Sequence, residues 1–170
     1  KNYKKVHVRN ELMHMLLLDG FEAFKADKEL SALFDNVELV RIAIQKEKRI
    51  INIYAESRKI LRFADVKRLS DSMHEQLFYG TFDDVRIHMH YTLPIEYSLS
   101  KIMSLYSESL YDELRSENML DYHILSTSEI NIIDESNTFI IKTVKDRISL
   151  GREHALCKWL KDVFSESFDI

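Results

Sequence analysis

Hydrophobic and polar positions along the chain repeat one arrangement twice. Val37 to Tyr54 reads VELVRIAIQKEKRIINIY, and Glu129 to Val144 reads EINIIDESNTFIIKTV. Each is a pair of β-branched, aliphatic strand candidates around a short polar turn, and each precedes a charged segment with helical spacing. In the first strand Val40, Ile42 and Ile44 alternate with Leu39, Arg41 and Ala43, as in a half-buried strand. Its turn falls at Lys46–Arg49, and that of the second hairpin at Asp134–Asn137.

Helices follow from the period of 3.6. Phe21, Phe24, Leu30, Leu33 and Phe34 sit near helical spacing, with Asp27 as an N-cap candidate. Phe63 to Phe78 is amphipathic, with Val66, Leu69, Met73 and Leu77 on one face. Val85 to Leu93 alternates as a strand that Pro94 ends. A long helix from about Ser98 to Asn118 carries Leu99, Met103, Tyr106, Leu110 and Leu114 as its stripe. Met119 to Leu125 fits a short helix or a strand. A last helix turns Leu156, Trp159, Leu160 and Val163 inward. Lys1 to Asp19, basic then apolar, fits a short helix or a lead-in strand. The order α-β-β-α-β followed by α-(α)-β-β-α predicts an α+β fold with small mixed sheets. It divides into a first module over residues 1–93 and a second over 94–170, whose closing strand is absent or barely started.

Composition narrows the chemistry. The 170 residues contain three Gly and one Pro, so Gly-rich phosphate cradles and nucleophile elbows have little material to form from. The net charge of −4 does not suggest an electrostatic nucleic-acid binder. A single cysteine excludes internal disulfides. Cys157, beside Leu156 and Leu160, reads as a buried small hydrophobe. No apolar run is long enough to span a bilayer, and a cytoplasmic location is expected. The chain starts at Lys1 and ends at Ile170, as expected of a fragment of something longer.

His88 and His90 share one face of a strand, but no third ligand is spaced to join them, so no metal site is expected. The carboxylate pairs sit at turns and polar helix faces, and no catalytic residue or cofactor is indicated. Basic residues gather after each hairpin: Arg58, Lys59, Arg62, Lys67 and Arg68 after the first, and Lys142, Lys145, Arg147 and Arg152 after the second. Such strand-to-helix junctions could hold phosphates, with the helix N-terminus assisting, but they fit somewhat better a solvated loop partly balanced by Asp65, Asp146 and Glu153. The apolar set Phe21, Phe24, Leu33 and Phe34 exceeds what one short helix needs to anchor itself, and is a candidate partner surface.

LFDNVELVRIAIQKEKRIINIYAESRKIL, from Leu33 to Leu61, resembles the start of the PolC-type DNA polymerase III α subunit of low-GC Gram-positive bacteria. SNTFIIKTVKDRISLGREHALCKWLKDVF, from Ser136 to Phe164, is similar to a strand and charged helix of that family. The likeness runs from about Gly20 to Ile170. It implies two modules like truncated type II KH domains, each a helix-flanked hairpin. It also implies docking of the first module on the C-terminal domain of the clamp-loader τ subunit. Catalysis (nucleotidyl transfer and 3′–5′ exonuclease) would lie in downstream domains of the same polymerase chain. A KH domain that grips nucleic acid needs a GxxG loop, and Gly20, Gly80 and Gly151 are each solitary. Protein binding is therefore the expected role, with single-stranded DNA or RNA as the alternative ligand.

Overall fold

The computed structural model describes residues 15–94, 97–143 and 150–170. Helix α1 (Lys28–Leu33) leads into strands β1 (Glu38–Gln45) and β2 (Ile50–Ser57), helix α2 (Phe63–Met73) and strand β3 (Asp84–Tyr91). Then come helices α3 (Leu99–Glu117) and α4 (Met119–Ser126), strands β4 (Glu129–Ile133) and β5 (Thr138–Lys142), and helix α5 (Leu150–Phe168). The fold is α+β.

The first sheet has the order β1-β2-β3. β1 and β2 form an antiparallel hairpin, whereas β2 and β3 are parallel, Ile50 opposite Asp84 and Ser57 opposite Tyr91. A parallel pair needs a crossover, and α2 supplies it. The second sheet is the hairpin β4-β5, with Glu129 opposite Lys142.

The repetition in the sequence reappears in the backbone. Both hairpins turn through three residues of 3-10 helix followed by one residue in the left-handed region, Arg49 (φ 52°) and Asn137 (φ 47°). The Arg49 N–H donates to the Lys46 carbonyl at 3.2 Å, and the Asn137 N–H to the Asp134 carbonyl at 3.3 Å. The turns are then docked differently. Arg49 pairs with Asp83 and donates to the carbonyls of Gly80 and Thr81, fixing the first turn to the loop before β3. Asp134 accepts the N–H of Ser100 in the first turn of α3 at 2.7 Å.

One contiguous apolar core runs from Leu17 to Phe168 and crosses Pro94. Leu17, Phe34, Leu69, Met73, Leu110 and Leu125 are among its fully enclosed members. Phe168 at the end of α5 stacks on Tyr91 of β3 (5.2 Å) and meets Tyr106 of α3 edge-on (5.1 Å). Phe164, one turn earlier, meets Phe139 of β5 at 4.8 Å. Helix α5 thus seals both sheets.

Several local expectations change. The segment from Phe21 to Phe34 is not one helix: Asp19–Phe21 is a 3-10 turn, and α1 begins only after Asp27, whose carboxylate accepts the N–H groups of Glu29 and Leu30. The cap that starts α1 also excludes Phe21 and Phe24 from it. In β1 a bulge between Leu39 and Arg41 breaks the alternation. Leu39 is buried, while Val40 and Ile44 are 49% and 52% exposed; the extra residue turns the strand's face over. Past Met73, the helix widens into a π-helical turn at His74–Phe78. Cys157 is exposed. It lies about 100° around the helix from Leu156, which takes it off the inward stripe. Met119–Ser126 is helical, because Asn118 caps it by accepting the N–H groups of Leu120 and Asp121. The reading of Lys1–Asp19 lies largely outside the described residues. Of that stretch, Met15 and Leu17 hydrogen-bond to Leu39 and Val37, so the chain enters beside β1 as a lead-in strand would.

Candidate protein-docking site

The β2–α2 junction is a short loop held from several sides. Ser57, buried at the end of β2, accepts the Lys59 N–H on its Oγ at 3.1 Å and donates to the Lys59 carbonyl at 2.9 Å. The Tyr91 hydroxyl donates to the Leu61 carbonyl, and burial pushes that hydroxyl's pKa well up. Arg62 and Asp65 form a two-point pair across the first turn of α2, at 2.7 and 3.1 Å. No side chain of the loop itself caps α2; instead Ser109 of α3 accepts the Phe63 N–H at 3.0 Å.

This pinned loop carries Arg58 and Lys59 outward, both exposed. Among the described residues, Arg58 is the one arginine that meets neither a carboxylate nor an aromatic ring. Arg49, Arg62, Arg68, Arg86, Arg115 and Arg152 each pair with an acid. Arg41 lies over the Tyr54 ring at 3.7 Å. The Lys59 ammonium likewise has no partner among the described residues.

Two hollows meet at these cations. One, about 280 Å³, is lined by Arg58, Lys59 and Arg62 together with Leu93, Tyr97 and Leu105. The second, about 450 Å³, is lined by the same Arg58 and Lys59, by Leu16 and Leu33, and by the acids Asp35 and Glu38.

The other basic candidates are already engaged. Lys67 pairs with Asp71, Arg68 with Asp27 and Glu29, Lys142 with Glu129, and Arg152 with Asp121 at 2.6 Å. Lys145 and Arg147 lie outside the described residues. Of the apolar set, Phe34 is fully buried and Phe24 nearly so, while Phe21 is half-buried against Phe78. Of the four, Leu33 lines the second of these hollows.

His88 and His90 do share a face, but each is committed. His88 stacks on Tyr54 (4.8 Å) with its Nε2 against Asn52 Oδ1 at 2.9 Å, and burial lowers its pKa. His90 meets Asp169 at 2.9 Å. Among the described residues no group of His, Cys, Asp or Glu is placed to hold a metal ion, and no helix is long and apolar enough to cross a membrane. The row Arg41–Tyr54–His88 across three strands escapes sequence reasoning because it depends on register. Ser109 escapes it too, although a small polar residue on the buried stripe of α3 is a readable signal.

The fold defines small α+β units, each a hairpin followed by a helix, with a preformed polar-and-apolar hollow at the first junction. Residues 16–89 match the family model described as DNA polymerase III polC-type N-terminus I. The match takes in α1, the hairpin β1–β2, α2 and most of β3. It supports the resemblance to the N-terminal region of a PolC-type replicative polymerase, a part that fits a non-catalytic role in DNA replication. No curated protein and no solved structure matched the chain.

Proposed function

We propose that this chain is an N-terminal interaction module that tethers a replicative DNA polymerase to the C-terminal domain of the clamp-loader τ subunit. Polymerase and 3′–5′ exonuclease chemistry would reside in downstream domains of the same polypeptide. The observation that carries this reading is the polC-type match over residues 16–89. The absence of GxxG favours a protein ligand over a phosphate backbone. So does the pairing of Arg62, Lys67, Arg68, Lys142 and Arg152 with carboxylates, since phosphates would have to displace those acids. Two KH-like modules, a cytoplasmic setting and the lack of a cofactor of its own are parts of the same proposal.

The test is a titration of the isotopically labelled chain with the τ C-terminal domain, followed by amide chemical shifts. Saturable shifts are expected. No shift at high micromolar partner concentration overturns the tether. Binding to a single-stranded oligonucleotide that weakens steeply with salt, and falls in an Arg147→Ala plus Lys145→Ala variant, would establish the nucleic-acid alternative instead.

A further inference from the structure

We infer that the two hollows on either side of Arg58 and Lys59 form one groove that receives a polypeptide segment carrying carboxylates flanked by aliphatic side chains. This inference rests on the tether reading and locates its contact surface.

Three observations converge. First, Arg58 and Lys59 are left without carboxylate partners in a chain whose other described arginines are paired or stacked. An exposed guanidinium is well suited to two-point recognition of a carboxylate. Second, the groove offers apolar anchors at both ends. Leu16 and Leu105, 37% and 46% exposed, line the two hollows on either side of the cations. The pattern is a charged centre between two greasy seats, and it suits a short segment with apolar side chains before and after its acids. Third, the loop is already ordered by Ser57, Tyr91 and Ser109, so a ligand need not pay to order it.

The groove is also polar along its length. Asp35 and Glu38 line the hollow that holds Leu16 and Leu33, whereas the other hollow is lined by Arg62, whose guanidinium is held by Asp65. A docked segment therefore places its acids over Arg58 and Lys59 and carries none against Asp35 and Glu38. The same asymmetry disfavours a nucleic-acid strand, whose evenly spaced phosphates would meet Asp35 and Glu38.

The experiment measures the affinity of the τ C-terminal domain for the parent chain and two charge-reversal variants, with each fold checked by its amide spectrum. Arg58→Glu/Lys59→Glu reverses the groove; Lys46→Glu/Lys48→Glu makes the same charge change at the hairpin turn, at the opposite end of β2. The groove predicts that the first variant weakens binding about tenfold or more. The second should change it less than about twofold. Equal affinities for both variants overturn the groove and leave the tether standing. A parent chain that binds no τ overturns both. Binding of an oligo-dT probe that is lost in Arg58→Glu/Lys59→Glu, with no τ binding, overturns the peptide assignment in favour of phosphate.

Discussion

Ser109 of α3 accepts a hydrogen bond at 3.0 Å from the backbone N–H of Phe63, the first residue of α2. A helix start leaves its first N–H groups without intrahelical partners, and here one is satisfied from a helix 46 residues away in sequence. Ser109 is itself buried, and its removal takes away the acceptor of that N–H. Ser109→Ala is expected to lower stability by about 1 kcal/mol, read as a lower urea midpoint. Ser109→Thr, which keeps the acceptor, should lose less if the added methyl group is accommodated.

The matched turn residues Arg49 and Asn137 separate conformational strain from docking. Both have positive φ, where glycine carries no steric penalty. Asn137→Gly is expected to change stability by less than about 0.5 kcal/mol, and Asn137→Ala to cost about 1 kcal/mol. Arg49→Gly relieves the same strain, yet it removes the links to Asp83, Gly80 and Thr81. It should therefore destabilise. Thermal unfolding of the three variants under one condition checks the order.

What could be read in advance was whatever depends on neighbours in the chain. Both hairpins, the Asp27 cap and the stripe of α3 are patterns within a few residues, and they form as the sequence indicates. The bulge at Leu39/Arg41, the π turn at His74–Phe78 and the row Arg41–Tyr54–His88 arise from packing and strand register. The site divides the same way. The run Arg58, Lys59, Arg62 was visible as a basic cluster. Which cations stay unpaired was not, because the acids that neutralise Arg68 and Arg152 come from α1 and α4.

Glu113 gives the chain a dependence on pH. Burial, then the negative charge of Glu117, raises its pKa to about 7, with Glu166 adding to the effect; the Tyr106 hydroxyl, donating at 3.3 Å, opposes it. A carboxyl whose folded pKa exceeds its unfolded value binds more protons folded than unfolded. Its penalty is absent below the ordinary carboxylate range, grows between about 4.5 and 7, and is full above that. The parent chain should lose stability as pH rises through this window. Glu113→Gln should flatten that slope and be more stable at pH ~8 by about 1–2 kcal/mol. Urea midpoints at a series of pH values decide the matter; parallel slopes for the two proteins would show that Glu113 is not the group responsible.

Phe168 tests whether α5 is a structural part of the first sheet. Its ring is buried between Tyr91 of β3 and Tyr106 of α3, at 5.2 and 5.1 Å, and Phe164 supports it from the same helix. Truncating a buried aromatic leaves a cavity, and Phe168→Ala is expected to cost about 3–4 kcal/mol. The loss should appear in β3 as well as in α5, because Asp169, which meets His90, departs with the helix end. Hydrogen exchange resolves this. Faster exchange at both Met89–Tyr91 and the last turn of α5 is the expected result, whereas a change confined to α5 would mean that the helix end merely rests on the sheet. Phe34→Ala, at a fully enclosed site between α1 and β1, is the reference for a cavity that leaves the α5 seam intact.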